Sequence, residues 1–150
     1  MEPKIVTKAA STVIGMKYRG KNEKNEIPQL WEEFGPRICE IKYLADPHVA
    51  YGVMHNYDEK SGEFDYVAGF EVSSVAEVPE GMVKWEVPEQ TYAVFTCTLP
   101  TLMDTFEQTY KTWLPQSGYE RADGPEFELY DENFDSQDES SEMAIYIPIR

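Results

Sequence analysis

An eight-residue pattern of apolar and polar positions occurs twice along the chain. Segments 27–34 and 99–106 share an apolar residue, Pro, any residue, Leu, a bulky apolar residue, an acid, any residue and Phe. The second copy begins 72 residues after the first. Pro28 and Pro100 suit the first turn of a helix, where a missing N–H costs nothing, so the repeat predicts two helices. Thr101 followed by Asp104 resembles a capping box.

The apolar positions of each copy continue at helical spacing. In the second copy they form one face, and Pro115 is predicted to end the helix. That face consists of Leu102, Phe106, Tyr110 and Trp113. In the first copy Gly35-Pro36 interrupts the pattern and predicts a kink or a short break. Its apolar residues are Leu30, Trp31, Phe34, Ile38 and Ile41.

Segments rich in β-forming residues flank both helices. The predicted strands are 11–18, 49–57 and 63–72 in the first half, and 90–97, 126–130 and 142–149 in the second. Each half therefore reads β-α-β-β. The predicted fold class is α+β, in which the duplicated β-α-β-β units form an antiparallel sheet with two helices packed on it and a ligand cleft between the halves.

The chain length of 150 residues predicts a single domain, residues 1–150, with pseudo-repeat halves at about 1–76 and 77–150. Each half alone is too small to bury much of a core, so the two are expected to fold as one unit. A composition that is 41% hydrophobic and 13% aromatic is sufficient for that core.

The chain carries 13 basic and 28 acidic residues, which gives a formal net charge of −15. This charge argues against direct nucleic-acid binding, because Lys and Arg must neutralise the phosphates, and against an anionic membrane surface. It favours solubility and cationic partners. The charge is uneven: the segment from Glu120 to Glu142 holds ten acidic residues and a single basic one, Arg121.

We expect a cytoplasmic protein, because the N-terminal segment lacks the apolar run of a signal peptide. No segment reaches the ~18 apolar residues of a membrane span. Cys39 lies in a helical pattern and Cys97 in a strand pattern, and both are predicted to be buried thiols. His48 and His55 have no Cys or acidic partner at metal-ligand spacing, so we expect neither a metal nor a cofactor.

Four local segments resemble those of one protein family in their order and spacing. They are the helix exit at 113–119, the acidic strand at 125–130, the final strand at 145–149 and the strand at 64–72. The chain resembles the GyrI-like family, or bacterial transcription activator effector-binding domains, over essentially its whole length. The resemblance implies a ligand-sensing domain that binds lipophilic, often cationic compounds between its halves, in an aromatic pocket that holds a glutamate. With no room for a helix-turn-helix, the chain resembles the stand-alone members.

The resemblance places the pocket glutamate at Glu128. On an alternating strand Glu126, Glu128 and Tyr130 face one way, while Phe127 and Leu129 face the other. A partly buried carboxylate is costly unless it is paired, and a cationic ligand would supply the pair. The alternative is that Glu128 is one more solvated acid in an acidic stretch.

Aromatic residues on the predicted elements are further candidates. Their faces attract cations by roughly 0.5–2 kcal/mol each, and they stack on flat apolar ligands. For any single one of them, a place in the core is the alternative. The predicted ligand-binding set is Glu128, Tyr51, Tyr66, Trp31, Tyr92, Tyr110, Tyr130 and Tyr146.

Three functions are compatible with this sequence. The first is a stand-alone effector-binding protein for an amphipathic or cationic small molecule. The second is a hydrolase of reactive cyclopropane-type compounds, with Glu128 as general base and Tyr66 or Tyr51 as its partner. The third is binding to a protein partner, such as gyrase or a regulator, in which the acidic loop 131–142 imitates DNA on a basic surface.

Overall fold

The computed structural model describes residues 2–150 of the chain. Its strands are β1 (Lys4–Lys8), β2 (Ser11–Gly20), β3 (Ala50–His55), β4 (Phe64–Val72), β5 (Val83–Val87), β6 (Gln90–Thr98), β7 (Glu126–Tyr130) and β8 (Glu142–Ile149). Its α-helices are α1 (Glu26–Phe34), α2 (Leu102–Gln108) and α3 (Leu114–Ser117). A 3₁₀ helix, Gly35–Glu40, follows α1, and a π-helix, Thr109–Trp113, joins α2 to α3.

The strands form one antiparallel sheet in the order β1-β6-β8-β7-β3-β4-β2-β5. The predicted units are β2-α1-β3-β4 and β6-α2-β7-β8, and they meet at the central pair of β3 and β7. The halves are interleaved, because β1 pairs with β6 of the second half and β5 pairs with β2 of the first. The α+β fold class predicted from the repeat is confirmed.

The sequence interpretation missed the two edge strands, β1 and β5. Each has five residues and one hydrogen-bonded neighbour within the sheet. Both carry lysines, at Lys4, Lys8 and Lys84. Charged residues on an edge strand discourage pairing with another chain, and the same residues weaken the signal by which a strand is recognised in a sequence.

The break predicted at Gly35-Pro36 is confirmed, because α1 ends at Phe34 and the backbone tightens into the 3₁₀ helix. Cys39 lies on that 3₁₀ helix and is exposed, so the prediction that it is buried was wrong. The pattern that suggested burial belongs to a regular α-helix, and the tighter winding turns this residue outward. Cys97 on β6 is buried as predicted.

Two predictions for the second helix were wrong. Pro115 does not end it: the π-helix leads into α3, and Pro115 lies in the first turn of α3, where no N–H is needed. The helix ends instead at Gly118, whose φ is 84°. Thr101 does not form a capping box, because its hydroxyl bonds to the Thr98 hydroxyl at 2.9 Å and gives no side-chain cap.

The helices cover one face of the sheet. Phe34 of α1 packs on Phe70 of β4, with ring centroids 6.1 Å apart. Trp113 of the π-helix packs on Phe95 of β6 at 5.4 Å. Each helix therefore covers the strands of its own half, and the line where the halves meet lies between the helices.

The opposite face of the sheet is buried as well, although no helix packs on it in the described part of the chain. The sheet curls until Lys8 Nζ on edge strand β1 lies 3.1 Å from Glu71 Oε1 on β4. Val53 and Val67 on this face are fully buried. Side chains of this face are therefore enclosed by the curled sheet itself.

Strands β2 and β4 approach each other closely at Gly15, which pairs with Gly69. A Cβ on Gly15 would overlap the carbonyl oxygen of Ala68 and lie 2.5 Å from the Gly69 Cα. Backbone atoms in the middle of a sheet have little room to move aside, so this contact requires glycine.

We expect Gly15→Ala to lower the free energy of unfolding by about 3 kcal/mol, because the added methyl group strains two interior strands of the sheet, β2 and β4. Urea denaturation measures this change. Gly35→Ala is the control: a Cβ there meets no atom within 4 Å and φ is −46°. It is expected to change stability by less than about 1 kcal/mol. Equal stabilities for the two variants would contradict the close approach of β2 and β4.

Candidate functional site

Strand β7 carries the polar residues at the centre of the sheet. Glu128 and Tyr130 lie on the helix-covered face, while Phe127 and Leu129 belong to the core of the opposite face. The alternation predicted from the sequence is thus confirmed. Glu128 pairs across the strands with Gly52 of β3, at the line where the halves meet.

Gly52 provides the space that the Glu128 side chain needs. A Cβ at this position would overlap the Tyr66 hydroxyl and lie 2.7 Å from Glu128 Oε1. The side chains of Tyr66 on β4 and Glu128 on β7, the two strands that flank β3, therefore share the volume above Gly52. The sequence interpretation gave Gly52 no role, since the contact it permits joins residues distant in the chain.

A chain of hydrogen bonds ends on the Glu128 carboxylate. The Tyr66 hydroxyl donates to Glu128 Oε1 at 2.7 Å, and the Tyr130 hydroxyl donates to the same oxygen at 2.8 Å. Trp31 Nε1 on α1 donates to the Tyr66 hydroxyl at 2.9 Å. We call these four residues the Glu128 cluster. It joins α1, β4 and β7, so elements of both halves hold one carboxylate.

Glu128 is a buried carboxylate with no cationic partner. It is 6% exposed, and among the described residues no Lys, Arg or His nitrogen lies within 4 Å of it. Asp65, also 6% exposed, differs in this respect, because Arg19 Nη1 lies 3.0 Å from its carboxylate. Burial raises the pKa of the Glu128 carboxyl, and the two tyrosine hydroxyls oppose that rise only in part.

The same burial acts on the hydroxyls that surround Glu128. Burial and the nearby carboxylate both raise the pKa of Tyr66 and of Tyr130. Both tyrosines therefore stay protonated at neutral pH and act as donors. The Glu128 carboxylate is thus surrounded by neutral donors and aromatic rings, and no cationic side chain of the described residues pairs with it.

A second carboxylate, Glu126, lies two residues earlier on the same strand and has a different environment. The Tyr110 hydroxyl on the π-helix donates to Glu126 Oε2, and Arg121 Nε donates to the Tyr110 hydroxyl at 3.1 Å. Arg121 Nη2 lies 3.8 Å from Glu126 Oε2. We call these three residues the Glu126 triad. Unlike Glu128, Glu126 has a guanidinium beside it.

The aromatic rings of the Glu128 cluster cover its carboxylate. Trp31 is half-buried and meets Tyr130 edge to face, with ring centroids 5.8 Å apart, and meets Tyr66 at 6.5 Å. Surface depressions of about 440 and 260 Å³ lie elsewhere, at the edge formed by β1 and β6 and along α2. At the line where the halves meet, the Glu128 carboxylate is covered by side chains of the protein itself.

The structure brings together five of the eight predicted ligand-binding residues on the helix-covered face. They are Glu128, Tyr66, Trp31, Tyr130 and Tyr110. The other three, Tyr51, Tyr92 and Tyr146, lie in the core of the opposite face. Tyr146 stacks on Phe127 with centroids 4.4 Å apart, and the Tyr51 hydroxyl donates to Glu71 at 3.4 Å.

The sequence interpretation missed Glu126 and Arg121 as members of the site. Strand alternation already placed Glu126 on the same face as Glu128. Arg121 stood out as the single basic residue of an acidic stretch, and that signal was available without a structure. Among the residues that the structure describes, no group of His, Cys, Asp and Glu is arranged to hold a metal ion.

A duplicated β-α-β-β sheet with a buried glutamate beneath aromatic rings agrees with the effector-binding domains that the sequence resembles. The chain belongs to the Cass2 family, described as integron-associated effector binding proteins, whose family model matches residues 4–149. This result confirms the effector-binding resemblance. The chain is also 44% identical over 152 residues to the transcriptional regulator BrlR of Pseudomonas aeruginosa strain PAO1. That match covers 99% of this chain and 56% of BrlR, so the chain spans about half of that relative.

Two solved structures share the fold. SAV2435 bound to tetraphenylphosphonium has a TM-score of 0.75 and 19% identity, covering 100% of this chain and 94% of that one. The EcmrR C-terminal domain has a TM-score of 0.78 and 13% identity, covering 99% and 97%. At these identities the likeness establishes the fold. In the described residues, no helix is long and apolar enough to cross a membrane.

The two glutamates of β7 are expected to respond differently to the same substitution. Glu128→Gln removes a buried charge that no cation pairs with in the described residues and keeps an acceptor for both tyrosines, so it is expected to stabilise the protein at pH 7 by about 1 kcal/mol. Burial raises the pKa of the Glu126 carboxyl as well, and Arg121 and the Tyr110 hydroxyl oppose that rise in part. Glu126→Gln leaves Arg121 without its carboxylate, so it is expected to stabilise the protein less than Glu128→Gln does. Thermal and urea denaturation measure both changes. An equal or larger gain from Glu126→Gln would contradict the different pairing of the two carboxylates.

The stabilising effect of Glu128→Gln is expected to depend on pH. Because the pKa of Glu128 is higher in the folded protein than in the unfolded chain, the folded protein binds more protons between these two values. The wild type therefore loses stability relative to Glu128→Gln as pH rises from the unfolded pKa, about 4.3, through the folded one. Below pH 4 the two proteins are expected to be equally stable. A difference that is constant from pH 4 to pH 8 would contradict a raised pKa.

Proposed function

We propose that this chain captures lipophilic monocations at the Glu128 cluster. The observation that carries the proposal is a carboxylate buried at the centre of the sheet, with hydroxyl donors and with no cation beside it among residues 2–150. Such a group is costly to bury alone. A ligand that brings a positive charge and apolar surface would offset that cost, and it would gain attraction in a site that excludes water.

The aromatic residues around Glu128 support the same ligand class. Trp31, Tyr66 and Tyr130 offer ring faces to a cation and apolar surface to its substituents. Because Glu128 is only 6% exposed beneath these rings, a ligand reaches its carboxylate only if some of them move aside. Moving the rings costs free energy and lowers the affinity, whereas the attraction between the cation and Glu128 raises the affinity. The fold neighbour SAV2435 was solved with tetraphenylphosphonium, a lipophilic monocation, which makes this ion the natural probe.

We expect tetraphenylphosphonium to raise the melting temperature of the wild type and to bind in a calorimetric titration. Glu128→Gln is expected to weaken binding at least tenfold, because the neutral amide leaves the cation unpaired. The matched control is Glu132→Gln, which removes the same charge at an exposed position on the loop after β7. It is expected to stay within about twofold of the wild type. Equal losses in both variants would show that only the protein's overall charge attracts the ion.

Affinity for tetraphenylphosphonium is expected to rise with pH. A protonated Glu128 is neutral, so the cation must displace the proton, and affinity falls about tenfold for each pH unit below the folded pKa. Titrations between pH 4 and pH 8 measure this slope. Glu128→Gln is expected to show a flat profile over the same range. A sloping profile in that variant would assign the titration to another group.

A second candidate is hydrolysis of a strained electrophile. The raised pKa of Glu128 favours it, since a general base works best when its pKa is near the working pH. The same carboxylate and the Tyr66 hydroxyl would serve as base and partner. Incubation with a cyclopropane-bearing alkylating compound, followed by mass spectrometry, separates the candidates. On the binding proposal the compound is recovered unchanged, whereas turnover abolished by Glu128→Gln would establish the enzyme.

We also propose that ligand capture by this fold serves regulation without direct DNA contact by this chain. The formal charge of −15 opposes binding to phosphates. BrlR, of which the chain spans 56%, is described as a transcriptional regulator, and the EcmrR domain belongs to a protein solved in complex with DNA. A regulatory output of this chain would therefore pass through a further protein segment or a protein partner.

A further inference from the structure

The charges on the helix-covered face of β7 do not balance. Glu126 and Glu128 are both on this face, and Arg121 is the cation within reach, beside Glu126. With both carboxylates ionised, this group has a net charge of −1. Glu128 supplies that charge, because Arg121 belongs to the Glu126 triad.

Arg121 is firmly held at its position. Besides the Tyr110 hydroxyl, its guanidinium donates to the carbonyl oxygens of Ala122 and of Gly124, the latter at 3.1 Å. Arg121 also bridges to Ile149 of β8 through its backbone. Its charge is therefore fixed beside Glu126 and is not free to turn toward Glu128, which lies one strand repeat away, roughly 7 Å.

We propose that Arg121 is a specificity-determining residue. By holding Glu126 in an internal ion pair, it leaves one free carboxylate in the pocket and thereby selects ligands with a single positive charge. This inference rests on the proposed capture of cations at Glu128. A dication long enough to reach both carboxylates would have to displace the guanidinium from three acceptors, whereas a monocation meets no such requirement.

The inference predicts how each variant changes the preference between two matched dyes. Ethidium is a monocation, and propidium adds a quaternary ammonium on a propyl tail to the same ring system. Fluorescence titration gives the ratio of the propidium dissociation constant to the ethidium one. Arg121→Gln frees Glu126 and is expected to lower this ratio about tenfold. Arg121→Lys keeps the charge and is expected to keep the wild-type ratio.

Three further variants complete the test. Glu126→Gln leaves the pocket with no net charge and is expected to weaken ethidium binding about tenfold. The double variant Arg121→Gln with Glu126→Gln restores a charge of −1 and is expected to recover the wild-type affinity and ratio. Arg150→Gln is the matched control, because it removes an arginine at an exposed position and changes the overall charge by the same amount.

The outcomes separate this inference from the proposed function. If the wild type binds ethidium but Arg121→Gln leaves the ratio within twofold, Arg121 has a purely structural role and the inference is wrong. If Arg121→Gln does not fold, as judged by circular dichroism, Glu126→Gln decides, and an unchanged ethidium affinity overturns the inference. If the wild type binds neither dye nor tetraphenylphosphonium, the proposed function itself is wrong.

Discussion

The centre of this fold holds a carboxylate that accepts hydrogen bonds and has no counter-charge in the part of the chain that the structure describes. Glu128 accepts from Tyr66 and Tyr130, and Trp31 continues the chain of donors to α1. Neutral donors lower the cost of burying the charge without removing it. The same three side chains cover the carboxylate where the halves meet. If Glu128 captures a cation as we propose, the unpaired charge that lowers the stability of the free protein is the same charge that attracts the ligand.

The interleaved topology fixes the position of Glu128. Strand β7 lies at the middle of the sheet, paired on one side with β3 of the first half and on the other with β8. Gly52 on β3 leaves the volume that the Glu128 carboxylate and the Tyr66 hydroxyl share. The exchange of edge strands joins the halves on both sides, so Glu128 lies on one continuous sheet.

Local patterns in the sequence were sufficient for most of the fold. Alternation and the Pro-containing repeat predicted six strands, both helices and the break at Gly35-Pro36, because these features depend on neighbours in the chain. The two edge strands were missed because their lysines weaken the strand pattern, and the course of the helix past Pro115 was missed because the π-helix before it has no signal in the sequence. In the site, Glu128 was predicted through the family resemblance, and Tyr66 was predicted as an aromatic residue on a strand. Strand alternation alone could not show that the curled sheet encloses Tyr51, Tyr92 and Tyr146 on the other face.

The most direct test of this account is to titrate the Glu128 side-chain carboxyl by carbon-13 NMR, with and without tetraphenylphosphonium. The free protein is expected to show a pKa above the ordinary glutamate value for this carboxyl, because burial disfavours its charge. Saturation with the cation is expected to lower that pKa, because the charged form gains a partner. A normal pKa in the free protein, or the same pKa with the cation bound, would contradict the claim that Glu128 is a buried carboxylate that binds a cation.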